Sequence, residues 1–225
     1  MKPARFRWFV WAGLVVAAVA GCGKDEGPEQ NTTPTACFTL TPPEVSTGTS
    51  FQVDARCSSD DQDAAGSLQV RWDWENDGVF DTNFSGVLTA NHTYTVADDY
   101  VIRAEVLDDT GLTDAVLQIV TVLPGEPTNL LVAPASLRLA PGQSARFRAS
   151  AWDAHGNRLW NPEVNWSLSS AEAGTLDSTG WFTASAQAGF YPDAVVVTTP
   201  GLTARASVTI FWPQRLYLPE VLRGP

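Results

Sequence analysis

Histidine is nearly absent: His92 and His155 are the only two in 225 residues. Cysteine is held to three, at positions 22, 37 and 57. No Cys or His stands at zinc-ligand spacing, so a zinc site of the familiar kinds is excluded. No phosphate-binding loop and no nucleophile elbow occurs, which removes the nucleotide-hydrolysing and α/β-hydrolase classes. Serines are many, but none has a plausible His partner. No apolar run reaches the about 20 residues that a membrane helix requires. Helical amphipathic periodicity is missing after residue 34. Cations are scarce where folded structure is expected. Residues 35–124 hold fifteen acids against three arginines, and residues 126–213 hold six against five. The acidic first half argues against nucleic acid and against anionic lipid surfaces, both of which call for Lys/Arg patches. An acidic first half suits cation binding or simple solubility.

What is present begins with a basic start, Lys2, Arg5 and Arg7, then an apolar run from Trp8 to Ala20, then Gly21-Cys22. This order reads as an export signal over residues 1–21. "VAGC", Val19 to Cys22, resembles the lipobox of bacterial lipoproteins. The resemblance implies cleavage before Cys22 and a lipid-modified Cys22 as the membrane anchor, held by two or more acyl chains. Residue 23 is Gly instead of Asp, so the inner-membrane retention residue of that family is missing. The expected location is therefore exported and lipid-anchored, on the cell membrane or outer membrane, facing the periplasm or the exterior. Residues 22–34, rich in Gly, Pro and polar groups, read as a flexible tether. An exported chain can oxidise Cys37 and Cys57. They flank a turn-like "STGT" on two strand-like segments, so a hairpin about Thr47–Gly48 would bring them together as a disulfide.

Beyond the tether, short β-branched and aromatic runs alternate with Gly, Pro, Asp and Asn. In "LQVRWDWE" Val70, Trp72 and Trp74 fall on one face, and Arg71, Asp73 and Glu75 on the other. The fold expected is all-β: two tandem immunoglobulin-like antiparallel sandwiches, over residues 35–123 and 127–212, split at "LPGEP". Residues 213–225 form a tail, read as packing back on the second domain. The first half resembles a PKD domain through "ACFTL", "VDARCSSDD", "VRWDWENDG", "NHTYTVADDYVIRAEVLDDTG" and "LQIVTV". The second is similar to a bacterial immunoglobulin-like domain of group 2. The matching stretches are "LLVAPASLRLAPGQSARFRASAWDAHGN", "VNWSL", "GTLDSTGWFTA" and "ARASVTI".

"RWDWENDGVFDT", Arg71 to Thr82, admits two readings. Asp73, Glu75, Asp77 and Asp81 with Gly78 follow the alternation of a calcium loop, since hard cations take six to eight oxygens. Asp60, Asp61 and Asp63 precede this strand. The PKD resemblance implies that their loop can approach the same end of the sandwich, where some members bind calcium. The other reading is a hairpin turning at Asn76-Asp77-Gly78, with Asp73 accepting loop amides. Phe84 stands where a helix-flanked calcium loop would place its closing Glu.

Seven of the nine tryptophans lie outside the signal. Trp152, Trp160 and Trp181 fall near loops or strand ends of the second half, where exposed aromatics stack on sugar rings or meet proteins. The function expected is non-catalytic: surface adhesion, or binding of extracellular polysaccharide or protein. The alternatives are an accessory spacer for a separate enzyme, and a small hydrolase using the carboxylates between Asp60 and Asp81.

Overall fold

The computed structural model describes residues 31–63 and 66–213. The signal, Cys22, most of the tether and nearly all of the tail lie outside the described residues. Both halves belong to one compact unit, Thr32–Pro225. Among the described residues no helix is long and apolar enough to cross a membrane. Apart from one turn of 3-10 helix at Ala171–Ala173, the regular structure is strand.

Among the described residues the first half has seven strands: β1 (Thr39–Thr41), β2 (Glu44–Ser46), β3 (Ser50–Asp54), β4 (Gln69–Asp73), β5 (Thr89–Thr93), β6 (Asp99–Leu107) and β7 (Thr113–Leu123). One layer runs β1-β3-β5 and the other β2-β7-β6-β4. Two layers in this order, antiparallel except for the β2–β7 pair, form an immunoglobulin-like sandwich. Alternation decides which residues meet between the layers. Val70 and Trp72 are buried, while Gln69 and Arg71 are only half-buried. Phe38, Phe51, Val53, Ile102 and Val120 complete the core. Trp72 and Trp74 both lie inside and stack with centroids 5.5 Å apart. Trp74 in turn stacks on His92 at 4.3 Å, and burial lowers the imidazole's pKa.

Cys37 and Cys57 are joined by a disulfide, with Cα atoms 5.4 Å apart. The intervening chain is not the plain hairpin expected. At Pro42-Pro43 it leaves the β1–β3 ladder, and β2 crosses to pair in parallel with β7. Proline has no N–H to continue a ladder, which accounts for the switch.

The second half has ten strands: β8 (Asn129–Ala133), β9 (Ser136–Leu139), β10 (Ser144–Arg146), β11 (Arg148–Trp152), β12 (Arg158–Leu159), β13 (Asn165–Leu168), β14 (Gly174–Leu176), β15 (Trp181–Ala184), β16 (Gly189–Thr199) and β17 (Leu202–Ile210). One layer is the sheet β13-β16-β17-β9, with β9 parallel to β17. The chain crosses to that layer at Pro134, repeating the device of the first half. The other layer is built from β12-β11-β8 and β10-β15-β14. β10 and β11 are one extended run interrupted at Phe147, whose amide bonds Gly180 instead of a ladder partner. Phe147, Phe182, Ala151, Val195 and Val208 form its core.

The halves meet through hydrogen bonds. Thr47 Oγ1 donates to Asp153 Oδ2 at 2.6 Å, and the Gly125 amide donates to both, at 3.1 and 3.0 Å. Asn157 Nδ2 donates to the Thr95 carbonyl at 2.8 Å, and its Oδ1 accepts from the Ala97 amide at 2.9 Å. Gly48, at φ +76°, lies so close to His155 that a Cβ there would stand 2.5 Å from the imidazole Cε1. The "DAHGN" segment is thus a turn, as its residues indicate, but its Asp and Asn also reach across to the first sandwich.

Candidate functional site

The acidic residues divide between the two ends of the first sandwich. β4 separates them: Gln69 pairs with Leu107 and Asp73 with Arg103. Four residues of strand span about 13 Å. At the β4 start, Asp60 Oδ1 accepts from the Gln62 and Asp63 amides, and Asp63 Oδ2 accepts from the Asp109 amide at 3.1 Å. The Asp109 carboxyl is pushed up, first by the charge of Asp63. Asp60 Oδ2 is buried with no hydrogen-bond partner among the described residues. Asp60 and Asp63 thus sit on the β6–β7 turn, away from Asp73. The approach of the two acidic loops to a common end, expected from the PKD resemblance, does not occur. The rigid β4 strand joins them end to end.

At the other end of β4 the chain does turn at Asn76–Gly78, with φ +51° at Asn76 and +90° at Gly78. Asp73 is fully buried and accepts from the Asp77 and Gly78 amides at 3.2 and 3.0 Å. Asp81 Oδ2 accepts from the Trp74 amide at 2.8 Å. Asp77 caps Val79 instead and faces its own turn. One oxygen each of Asp73, Glu75 and Asp81 lies within 4.8 Å of the others. Burial first, then the charges of Asp81, Asp77 and Asp73, raises the Glu75 pKa. Three converging carboxylates suit a hard cation but supply only part of the about six to eight oxygens calcium takes. Phe84, at the closing position of a helix-flanked loop, lies under the Arg71 guanidinium at 4.4 Å from its centroid.

The second sandwich presents a different surface. From Ser144 to Trp152 the side chains alternate without a break. Ala145, Phe147, Ala149 and Ala151 pack against the core, and Ser144, Arg146, Arg148, Ser150 and Trp152 turn outward. Register adds neighbours to the outward set, because directly paired residues share a face. Trp181 lies opposite Arg146, and Arg158 opposite Trp152. Trp160 follows two residues after Arg158 and is 81% exposed. Trp152, Trp160 and Trp181 therefore lie on one face. Trp152 is half-buried, and Trp181 is half-exposed.

A cleft of about 600 Å³ is lined by Arg146, Arg148, Arg158 and Trp160 and, from the core side, by Phe147, Ala149, Leu159 and Trp166; Trp152 and Trp181 lie outside it. The Arg158 guanidinium stands 5.8 Å from the Trp160 ring centroid. Ser178 and Thr179 bring the Asp177–Gly180 turn to the cleft, and in that turn Asp177 Oδ1 accepts from the Thr179 and Trp181 amides. Gly180, at φ +84°, sits where a Cβ would meet the Phe147 carbonyl at 2.5 Å. Trp166 joins the half-buried fringe of the core and also lines the cleft. Sequence reasoning named the three tryptophans but not the arginines beside them. The alternation in "ARFRAS" was visible, but the register that adds Arg158 was not.

No family model and no curated protein matches this chain. Among solved structures, the PKD1 domain of Vibrio anguillarum Epp is 26% identical over 43% of this chain and 100% of that domain, with a TM-score of 0.33. The PKD1 domain of the Vibrio cholerae metalloprotease PrtV is 27% identical over 40% of this chain and 98% of its own, at 0.31. A structure of carbohydrate-binding modules of the β-sandwich superfamily is 15% identical, covering 76% of this chain and 56% of its own, at 0.40. Likeness of fold carries no ligand with it.

Proposed function

We propose that this chain is a non-catalytic, exported binding protein, lipid-anchored at Cys22, that holds an extracellular polysaccharide or protein on the outer face of its second sandwich. The observation that supports this most is the exposure of Trp160, 81% of its surface, in the lining of a cleft. An exposed indole beside a cleft and a guanidinium offers a ligand both a stacking face and a charged partner. Residues 127–212 act as the binding module and residues 35–123 as a disulfide-braced module that carries it. The hydrogen-bonded junction at Asp153 holds the second sandwich against the first. Catalysis is disfavoured by the placement of the histidines, one stacked in the first core and the other against Gly48. It is also disfavoured by the loop amides that occupy both oxygens of Asp73.

The test is an array of polysaccharides and matrix proteins probed with the chain from residue 23, which retains the whole compact unit. Binding that Trp160→Ala abolishes is the expected result. A blank array, the behaviour of a spacer, overturns the reading.

A further inference from the structure

We infer that the ligand of this face is an acidic polysaccharide, a sugar chain bearing carboxylate or sulfate groups, held with a sugar ring on Trp160 and its anionic groups on Arg146, Arg148 and Arg158. This rests on the reading above and narrows it to a chemical class. The contrast in arginine partners carries the argument. In the first sandwich every arginine is ion-paired: Arg56 with Asp54, and Arg71 and Arg103 with Glu105. The described residues give the three cleft arginines no such carboxylate. Arg146 Nε reaches the Thr179 carbonyl at 3.2 Å, and Arg158 Nη2 reaches the Ser150 hydroxyl at 3.5 Å. All three are exposed. They converge on one cleft in a chain of net charge −11. Guanidinium is the side chain best matched to carboxylate and sulfate, through paired, charge-assisted hydrogen bonds.

The tryptophan selects among anions. The indole face carries negative potential and packs against the C–H face of a sugar ring. With Arg158 beside that ring, a sugar stacked on Trp160 brings its acidic substituent within reach of a guanidinium. Nucleic acid fits less well. Its single strands need several stacking platforms along a continuous basic groove, whereas the exposed ring this cleft offers among the described residues is Trp160. The acids of the first sandwich do not cancel the site. Arg148 lies five residues along the strand from Asp153 at the junction, about 16 Å at strand rise, while Arg158, opposite Trp152, is nearer to it. Exposed charges are largely screened beyond about 8 Å at physiological salt. The Asp177 carboxyl, next to the cleft residues Ser178 and Thr179, is already engaged. The Thr179 hydroxyl and the Trp181 amide hold its pKa down, with a smaller share from Arg146.

The chain from residue 23 is titrated calorimetrically with polygalacturonate, dextran sulfate and neutral dextran, and with poly-L-glutamate and single-stranded DNA as non-sugar polyanions. The expectation is binding to polygalacturonate, dextran sulfate or both, and none to dextran. The two arms separate carboxylate from sulfate as the recognised group. Arg148→Gln, a change at an exposed position, weakens binding about tenfold, as loss of one charge-assisted contact implies. Trp160→Ala abolishes it, and raising salt from about 0.05 to about 0.5 M weakens it further. A neutral glycan bound as tightly, with Arg148→Gln unchanged, overturns the acidic assignment while leaving sugar binding standing. Failure of every sugar, charged or neutral, overturns both. Equal binding of poly-L-glutamate or DNA overturns the sugar assignment.

Discussion

Replacing Asp153 by Ala removes the carboxylate around which the two sandwiches are joined. Asp153 is 5% exposed. Its Oδ2 accepts from Thr47 Oγ1, the Gly125 amide and Asn157 Nδ2, and its Oδ1 accepts from the His155 and Asn157 amides. Alanine leaves the Thr47 hydroxyl and the Gly125 amide without this acceptor. A hydrogen bond to a charged group is worth about 1.5–3 kcal/mol net, and neighbouring bonds are not additive. The expected loss is therefore about 3–4 kcal/mol. For a unit of this size about 1 kcal/mol moves the melting midpoint about 2–4 °C, so calorimetry should show a fall of about 6–15 °C. The two halves should also separate into distinct transitions. Asp177→Ala serves as the comparison, since Asp177 caps an exposed turn in the same manner but joins nothing. A shift under about 2 °C, with a single transition retained, would refute the claim that this carboxylate couples the sandwiches. Burial alone would raise the Asp153 pKa, but the bonds from Thr47, Gly125 and Asn157 outweigh it and hold the folded value well below the ordinary 3.8. The unfolded state then binds the proton more readily. The contribution is complete above the unfolded pKa and is shed as pH falls below about 4 toward the folded value. Acid titration of stability should show this loss in the wild type and not in Asp153→Ala.

Reducing the Cys37–Cys57 bond frees a loop spanning 20 positions, which should cost about 3 kcal/mol, read as a lower denaturant midpoint with dithiothreitol; an unchanged midpoint contradicts it. We further propose that the carboxylates of Asp73, Glu75 and Asp81 take calcium. Millimolar calcium should then raise the melting temperature by mass action, and Glu75→Gln should erase the rise. No rise in the wild type removes the metal. Cys22→Ala should release the protein from membranes, and retention would mean another anchor.

The two-layer architecture was legible because side-chain parity along a strand is local. "LQVRWDWE" and "ARFRASAW" each announce an inside and an outside before any partner strand is known. The proline switches at 42–43 and 134 were less legible, since parity does not say which sheet a strand joins. The acidic loops misled for a related reason. Asp60 and Asp73 are close in sequence, yet a strand between them sets them at opposite ends, and strand direction is a tertiary fact. Asp153 caps Asn157 locally, as a turn residue does, while its bond to Thr47 crosses 106 positions. The cleft follows the same logic. Trp160 stood out by type, but Arg158, Arg146 and Arg148 became its neighbours only through the register of β11 with β12 and of β10 with β15.

Hydrogen–deuterium exchange with and without polygalacturonate bears most directly on where ligand sits. Slowed exchange confined to residues 144–152, 158–162 and 177–181 is the outcome expected of a binding face on the second sandwich. Slowing at the 73–81 loop, with the second sandwich unchanged, would place the ligand on the other module and contradict it.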